Sequence, residues 1–70
     1  MIKNINMKKE VICSNGKYRI IKISNKYIVQ EAKTFMKVWT NVKVYPYYVN
    51  SAEDIVKHNA YVFYLRLLDK

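Results

Sequence analysis

The 70-residue chain contains only one cysteine, one glycine, one proline and one histidine. Because Cys13 has no second cysteine to pair with, no internal disulfide can form, and a structural zinc site would lack ligands. One glycine cannot build a glycine-rich phosphate loop. The sequence therefore predicts a domain without a disulfide, a metal or an organic cofactor, and a lone cysteine fits a reducing cytoplasm.

Long apolar runs are also missing from the chain. No stretch approaches the roughly 20 consecutive apolar residues that cross a bilayer. The N-terminus, MIKNINMKKE, is basic but is not followed by the apolar segment of a secretory signal. We therefore expect no membrane partner, and we expect residues 1–8 to fray.

Acidic residues are few. Five Asp and Glu stand against thirteen Lys and Arg, which gives a net charge of +8. Residues 1–43 hold the whole excess, with ten basic residues against two acids, whereas residues 44–70 hold three of each. So few carboxylates argue against paired-carboxylate hydrolysis, and we predict that the chain is not an enzyme and has no small-molecule substrate. The basic segment favours a polyanionic partner instead.

Turn residues divide the first two thirds of the chain into β-prone segments. Asn15-Gly16 is a strong hairpin signal, and Ser24-Asn25 is a second turn candidate. The segments between and beside these turns predict strands at Glu10–Cys13, Lys17–Ile23, Lys26–Ala32 and Phe35–Tyr45.

The fourth strand alternates between two faces. An almost wholly apolar row is expected to face the core: Met36, Val38, Thr40, Val42 and Val44. The opposite row is basic and aromatic: Phe35, Lys37, Trp39, Asn41, Lys43 and Tyr45. Such alternation is typical of a sheet that is covered on one side only.

A helix is predicted for residues 51–69. Ser51 is expected to cap its first turn, where Glu53 and Asp54 suit the helix dipole. One stripe is expected to cover the sheet: Ala52, Ile55, Val56, Asn59, Ala60, Phe63 and Leu67. A second apolar side is a candidate contact with a partner protein or with a second copy in a homodimer: Tyr61, Tyr64, Leu65 and Leu68. The alternative is a strand at residues 60–68 after a helix that ends near Asn59.

The predicted fold is a single α+β domain over residues 1–70. It consists of an antiparallel β-meander of three to four strands with one C-terminal α-helix packed on one face. This element order and the basic charge are loosely similar to the arm-type DNA-binding domains at the start of some phage and transposon integrases. In that family a three-stranded sheet enters the major groove. The resemblance rests on no sequence motif, so no residue roles are transferred from it.

The basic and aromatic row predicts a nucleic-acid-binding face, because ammonium groups neutralise phosphates and rings stack on exposed bases. The residues expected to bind are Lys37, Trp39, Lys43, Tyr45 and Phe35, joined by Arg19, Lys22 and Lys26 from neighbouring strands. The adjacent Ile20 and Ile21 break the alternation of their strand, so the sequence leaves the face of Arg19 open. Ordinary cross-strand packing of the aromatic residues is the alternative explanation.

The leading hypothesis is a small binding protein that engages nucleic acid, or a nucleic-acid-processing protein, through this face. Abundant Lys, Asn and Ile are expected from an AT-rich genome. A short chain without a targeting segment is common among phage and mobile-element proteins, so we expect it to act in a host cytoplasm. A second hypothesis is therefore a protein inhibitor of a host enzyme, for example an anti-CRISPR-like inhibitor. A third is a toxin-type small ribonuclease that uses dispersed basic residues with Tyr18, Tyr27 and Tyr45.

Overall fold

The computed structural model describes residues 9–33 and 38–70. Its elements are the strands β1 (Glu10–Ser14), β2 (Tyr18–Ile23), β3 (Lys26–Lys33) and β4 (Val38–Pro46), a 3-10 turn (Asn50–Ala52) and the helix α1 (Glu53–Leu68). The strands form one antiparallel sheet in the order β1-β2-β3-β4. The predicted α+β meander is confirmed, and residues 60–68 are helical. The predictions for residues 1–8 and for Phe35, Met36 and Lys37 lie outside the described residues.

The turn between β1 and β2 is built by Asn15 and Gly16. Gly16 has a φ of +93°, a conformation that glycine enters freely because it lacks a Cβ atom. The side-chain oxygen of Asn15 accepts hydrogen bonds from the backbone N–H groups of Lys17 (2.9 Å) and Tyr18 (2.8 Å). The Asn-Gly pair therefore closes the hairpin that the sequence predicts.

Ser24, in the turn between β2 and β3, has a φ of +57°. A residue with a Cβ atom pays about 1–2 kcal/mol for this left-handed conformation, whereas glycine does not. We expect Ser24→Gly to raise the free energy of unfolding, measured with urea, by about 0.5–1 kcal/mol. Asn25→Gly is the matched control, because the neighbouring residue has no positive φ. If both variants gained the same stability, backbone strain at Ser24 would not be the cause of the increase.

The helix α1 packs on one face of the sheet and encloses the core. The buried residues that meet there are Ile20, Tyr27, Val29, Tyr47, Ala60 and Tyr64. Ala60 is fully buried, and its small side chain allows the helix axis to lie close to the strands. The Tyr27 and Tyr47 rings extend this core toward the end of β4, with ring centroids 6.0 Å apart.

The covered stripe of α1 differs in part from the predicted one. Ala52, Val56, Ala60, Phe63 and Leu67 do pack in or against the core. Ile55 and Asn59, which the apolar pattern assigns to the same stripe, are exposed. The part of α1 that the sheet covers therefore excludes the side that holds Ile55 and Asn59, and is narrower there than the apolar pattern indicates.

Tyr64 corrects the prediction on the other side of the helix. The sequence places it on the partner-facing side, but its side chain is only 5% exposed and belongs to the core. The reason is that the side of α1 packed on the sheet includes positions 60, 64 and 67, which share one face of a helix. Burial raises the pKa of Tyr64, and the neighbouring Cys13 adds to this effect. The other three residues predicted for that side, Tyr61, Leu65 and Leu68, are exposed.

The start of α1 is held by Glu53 rather than by Ser51. The cap position is occupied by Ala52, and no side chain makes a capping hydrogen bond there, so the predicted role of Ser51 is wrong. Instead the Glu53 carboxylate accepts hydrogen bonds from Lys22 Nζ and from the Tyr27 hydroxyl, both at 2.6 Å. These bonds fasten the first turn of the helix to β2 and β3.

The three groups of this cluster also shift one another's pKa. The hydrogen bond to Glu53 raises the pKa of Lys22 above its usual range, and the same bond lowers the pKa of Glu53. Burial, together with the nearby Glu53 carboxylate, raises the pKa of Tyr27 to about 12. At neutral pH the cluster therefore contains a charged pair and a neutral phenol.

Candidate nucleic-acid interface

The sheet has a second face, on the side away from α1, which we call the open face. Directly paired residues of antiparallel strands project from the same side of a sheet. Since Ile20 and Val29 lie beneath α1, the pairing assigns these residues to the open face: Val11, Arg19, Ile21, Lys26, Ile28, Gln30, Trp39, Asn41 and Val44. Within residues 9–33 and 38–70, no helix or strand packs on it.

A β-bulge in β4 decides which of its residues reach the open face. Val29 pairs with Lys43, but the next residue, Gln30, pairs with Asn41, so Val42 is an extra residue in β4. Such an insertion changes the face of the sheet from which every later residue of the strand projects, relative to an uninterrupted alternation. Trp39 and Asn41 lie on the open face, whereas Lys43 and Tyr45 lie on the face that α1 covers. The prediction that these four residues share one face is wrong.

Tyr45 and Lys43 consequently belong to a different environment from Trp39. The Tyr45 ring packs against the core and meets Phe63 edge-on, with ring centroids 6.3 Å apart and an interplanar angle of 62°. Lys43 is exposed, with Nζ 5.9 Å from the centroid of the Tyr45 ring. The prediction that the valine row of β4 faces the core is also wrong, because Val38, Val42 and Val44 are all exposed.

Arg19 and Trp39 meet across the open face. Arg19 Cζ lies 4.2 Å from the centroid of the Trp39 ring, a cation–π contact between β2 and β4. The residue paired with Trp39 is Ala32 on the intervening strand β3. Its small side chain leaves room for the indole to extend over β3 toward Arg19. The register thus settles the face of Arg19, which the sequence left open.

A hydrogen-bonded chain crosses three strands beside this contact. Arg19 Nε donates to Gln30 Oε1 at 2.8 Å, and Gln30 Nε2 donates to Asn41 Oδ1 at 2.8 Å. Gln30 is only 9% exposed, and both ends of its amide are bonded. A buried amide with partners at both ends fixes the side chains around it.

Gln30 is not among the binding residues that the sequence predicts. The one available signal is its position, since a polar residue in the middle of the apolar strand sequence YIVQEA needs a partner if it is buried. That signal does not identify Arg19 and Asn41 as the partners, because they lie on other strands.

Negative charge is absent from the open face. All five acidic residues of the chain are among the described residues. Glu10 and Glu31 pair with Lys22 and Thr40 on the helix-covered side, and the other three lie in or just after α1. Among the described residues, the open face therefore combines two cations, Arg19 and the half-buried Lys26, with an aromatic ring, two amides and an apolar floor.

Other residues predicted to bind lie elsewhere. Lys22 forms the ion pair with Glu53 at 2.6 Å on the helix-covered side, so it is not part of the open face. The same side holds Tyr18, Tyr27 and Tyr45, the residues suggested for a ribonuclease site, and Tyr27 is buried in the core. These tyrosines do not gather with Arg19 on one accessible surface.

Comparisons with protein-family models, with curated proteins and with solved structures find no match to this chain. In the described part of the chain, no three His, Cys, Asp or Glu side chains come together as a metal site requires. No helix there has the length and apolar character needed to cross a membrane.

Proposed function

We propose that the chain is a non-enzymatic binding protein that holds nucleic acid on its open face. The observation that carries the proposal is the Arg19 guanidinium placed over Trp39 on a face without a carboxylate. Trp39 and the Arg19 guanidinium that lies over its ring offer planar groups on which a base stacks. The charges of Arg19 and Lys26 attract the phosphates and release counterions. A pleated sheet that combines rings and cations suits single strands, because their bases are exposed.

The electrostatics of the whole chain support the same assignment. The net charge of +8 attracts a polyanion at long range. The carboxylates that would repel phosphates lie on the helix-covered side or in α1, so the open face is the side on which a nucleic-acid strand meets least repulsion.

Fluorescence of Trp39 is the direct test, because it is the only tryptophan in the chain. We expect single-stranded DNA or RNA to quench it at low salt. If Arg19 and Lys26 each displace the counterion of one phosphate, log K falls against log salt with a slope of roughly −1.4. Tight binding that ignores salt, or binding that leaves the fluorescence unchanged, would contradict the proposal.

Arg19→Gln tests the site, and Lys57→Gln on α1 removes the same charge elsewhere. We expect Arg19→Gln to weaken binding about tenfold, because it removes the cation over Trp39 and its attraction for the strand, and Lys57→Gln to weaken it much less. A fluorescently labelled strand, followed by anisotropy, measures both. Equal weakening would indicate attraction by net charge rather than a site.

A second candidate function is a protein inhibitor that binds through the outer side of α1. The observation in its favour is that Tyr61, Leu65 and Leu68 are all exposed on one helix. Exposed aromatic and apolar residues in a row are common at protein interfaces. Tyr64 is not part of this surface, since it is buried.

Capture from a host lysate, with and without nuclease, separates the two candidates. If the inhibitor proposal is correct, one protein is recovered in both arms, and Leu65→Glu abolishes its recovery while Arg19→Gln does not. If the nucleic-acid proposal is correct, nuclease removes the captured material and Leu65→Glu has no effect.

A further inference from the structure

The hydrogen-bonded chain on the open face has only one chemically allowed direction. An arginine side chain has donors and no acceptor, so Gln30 must turn its carbonyl oxygen toward Arg19. Its NH₂ group then faces Asn41, which must present its own carbonyl oxygen in return. The orientation of both amides therefore follows from Arg19.

This direction turns donors outward. Asn41 is exposed, its oxygen accepts from Gln30, and its Nδ2 donates to no atom of the described residues. Among the same residues, the two terminal nitrogens of Arg19 have no hydrogen-bond acceptor either. Asn41 cannot reverse its amide without placing NH₂ against the NH₂ of Gln30, and the buried Gln30 cannot reverse without placing NH₂ against Arg19. We call these outward groups of Arg19 and Asn41, with the Trp39 ring, the donor patch.

We propose that the donor patch binds the O6 and N7 edge of a guanine base in a single strand, an assignment that rests on the proposed function. That edge of guanine carries two acceptors and no donor, whereas the same edge of adenine places an N6 donor beside N7. Outward donors can bond to both acceptors of the guanine edge, whereas on adenine one of them meets the N6 donor. Hydrogen bonds of 2.8 Å join Arg19 Nε and Asn41 Oδ1 to the two ends of the Gln30 amide, so one amide group lies between the two side chains of the donor patch.

Three single strands of equal length test the assignment. Each is a thymine tract with one central base, which is guanine, 7-deazaguanine or adenine. We expect the guanine strand to bind about tenfold more tightly than the other two, since 7-deazaguanine lacks N7 and adenine carries a donor. Equal, salt-dependent affinity for all three would overturn the guanine assignment but leave the proposed function intact. Absence of binding to any strand would overturn both.

Asn41→Asp provides the test within the protein. The aspartate still accepts from Gln30 but replaces the outward donor by an oxygen, so we expect the preference for guanine to disappear. Asn25→Asp makes the same change of charge in the turn between β2 and β3, and we expect it to keep the preference. Equal loss of affinity for all three strands in both variants would show a charge effect alone and overturn the proposal.

Gln30→Glu tests the role of the chain that orients the donors. Glutamate still accepts from Arg19 but cannot donate to Asn41, whose amide is then free to rotate. We expect the ratio of affinities for the guanine and adenine strands to fall toward one, while Trp39 fluorescence still reports salt-dependent binding. An unchanged ratio in a folded variant would exclude an orienting role for Gln30.

Discussion

Ile20→Ala is expected to lower the free energy of unfolding by about 2–5 kcal/mol, a large share of the stability of so small a domain. Ile20 is 1% exposed and lies between its pairing partners Cys13 and Val29 beneath α1. Removing three carbon atoms there opens a cavity between the sheet and the helix, and close-packed neighbours fill it only in part. Urea denaturation followed by circular dichroism measures the change.

The control is the same substitution at an exposed isoleucine. Ile55 lies on α1 and is 66% exposed, so we expect Ile55→Ala to change stability by less than about 0.5 kcal/mol. A core of this size leaves only about 3–5 kcal/mol, so a loss at the upper end of the range would unfold Ile20→Ala before any urea is added. Ile20→Val, with an expected loss of about 1 kcal/mol, keeps the comparison measurable. Similar losses at both positions would place Ile20 outside the core.

The order and approximate bounds of the elements could be predicted because their signals are local. Asn15-Gly16 and Ser24-Asn25 set the two tight turns, and each turn depends only on the residues within it. The helix was likewise predictable over residues 60–68, where a strand was the alternative, because Leu65, Leu67 and Leu68 favour helix. For these elements the sequence contains the deciding information within a few residues.

The facing of β4 could not be predicted, because the bulge depends on pairing with β3. A bulge often contains a glycine, but here the extra residue is Val42, which resembles any other strand residue. Strict alternation between the two faces therefore holds for residues 38–41 and for residues 43–45 separately, but not from one group to the other. This one residue separates Trp39 from Lys43 and Tyr45, so only part of the predicted binding row lies on the open face.

The candidate site was only partly predictable for a related reason. Trp39 and Arg19 stand out in the sequence as an aromatic residue and a cation, and both lie on the open face. Gln30 and Asn41 gain their importance from contacts across three strands, which no local pattern encodes. Register between strands, rather than residue type, therefore creates the donor patch.

The second large effect is expected at alkaline pH and comes from Tyr27. Tyr27 is 2% exposed, its hydroxyl donates to Glu53 at 2.6 Å, and its pKa is raised from 10 to about 12. Between these two values the phenol ionises in the unfolded chain but stays neutral in the folded one. Stability from this group is therefore complete below pH 10 and is lost as the pH rises toward 12, by on the order of 2–3 kcal/mol. Lys22, whose pKa is also raised by its hydrogen bond to Glu53, adds a loss of the same sign.

Tyr27→Phe isolates this contribution. At neutral pH we expect it to destabilise by about 1 kcal/mol, because the hydrogen bond to Glu53 is lost. Above pH 10 the variant has no phenol to ionise at this position, so its stability falls less steeply and the two curves converge or cross before pH 12. Tyr48→Phe is the control, since Tyr48 is 88% exposed, and its curve should stay parallel to that of the parent chain. Denaturant midpoints measured from pH 7 to pH 12 give the comparison. Parallel curves for Tyr27→Phe as well would mean that Tyr27 ionises alike in both states, and would contradict this prediction.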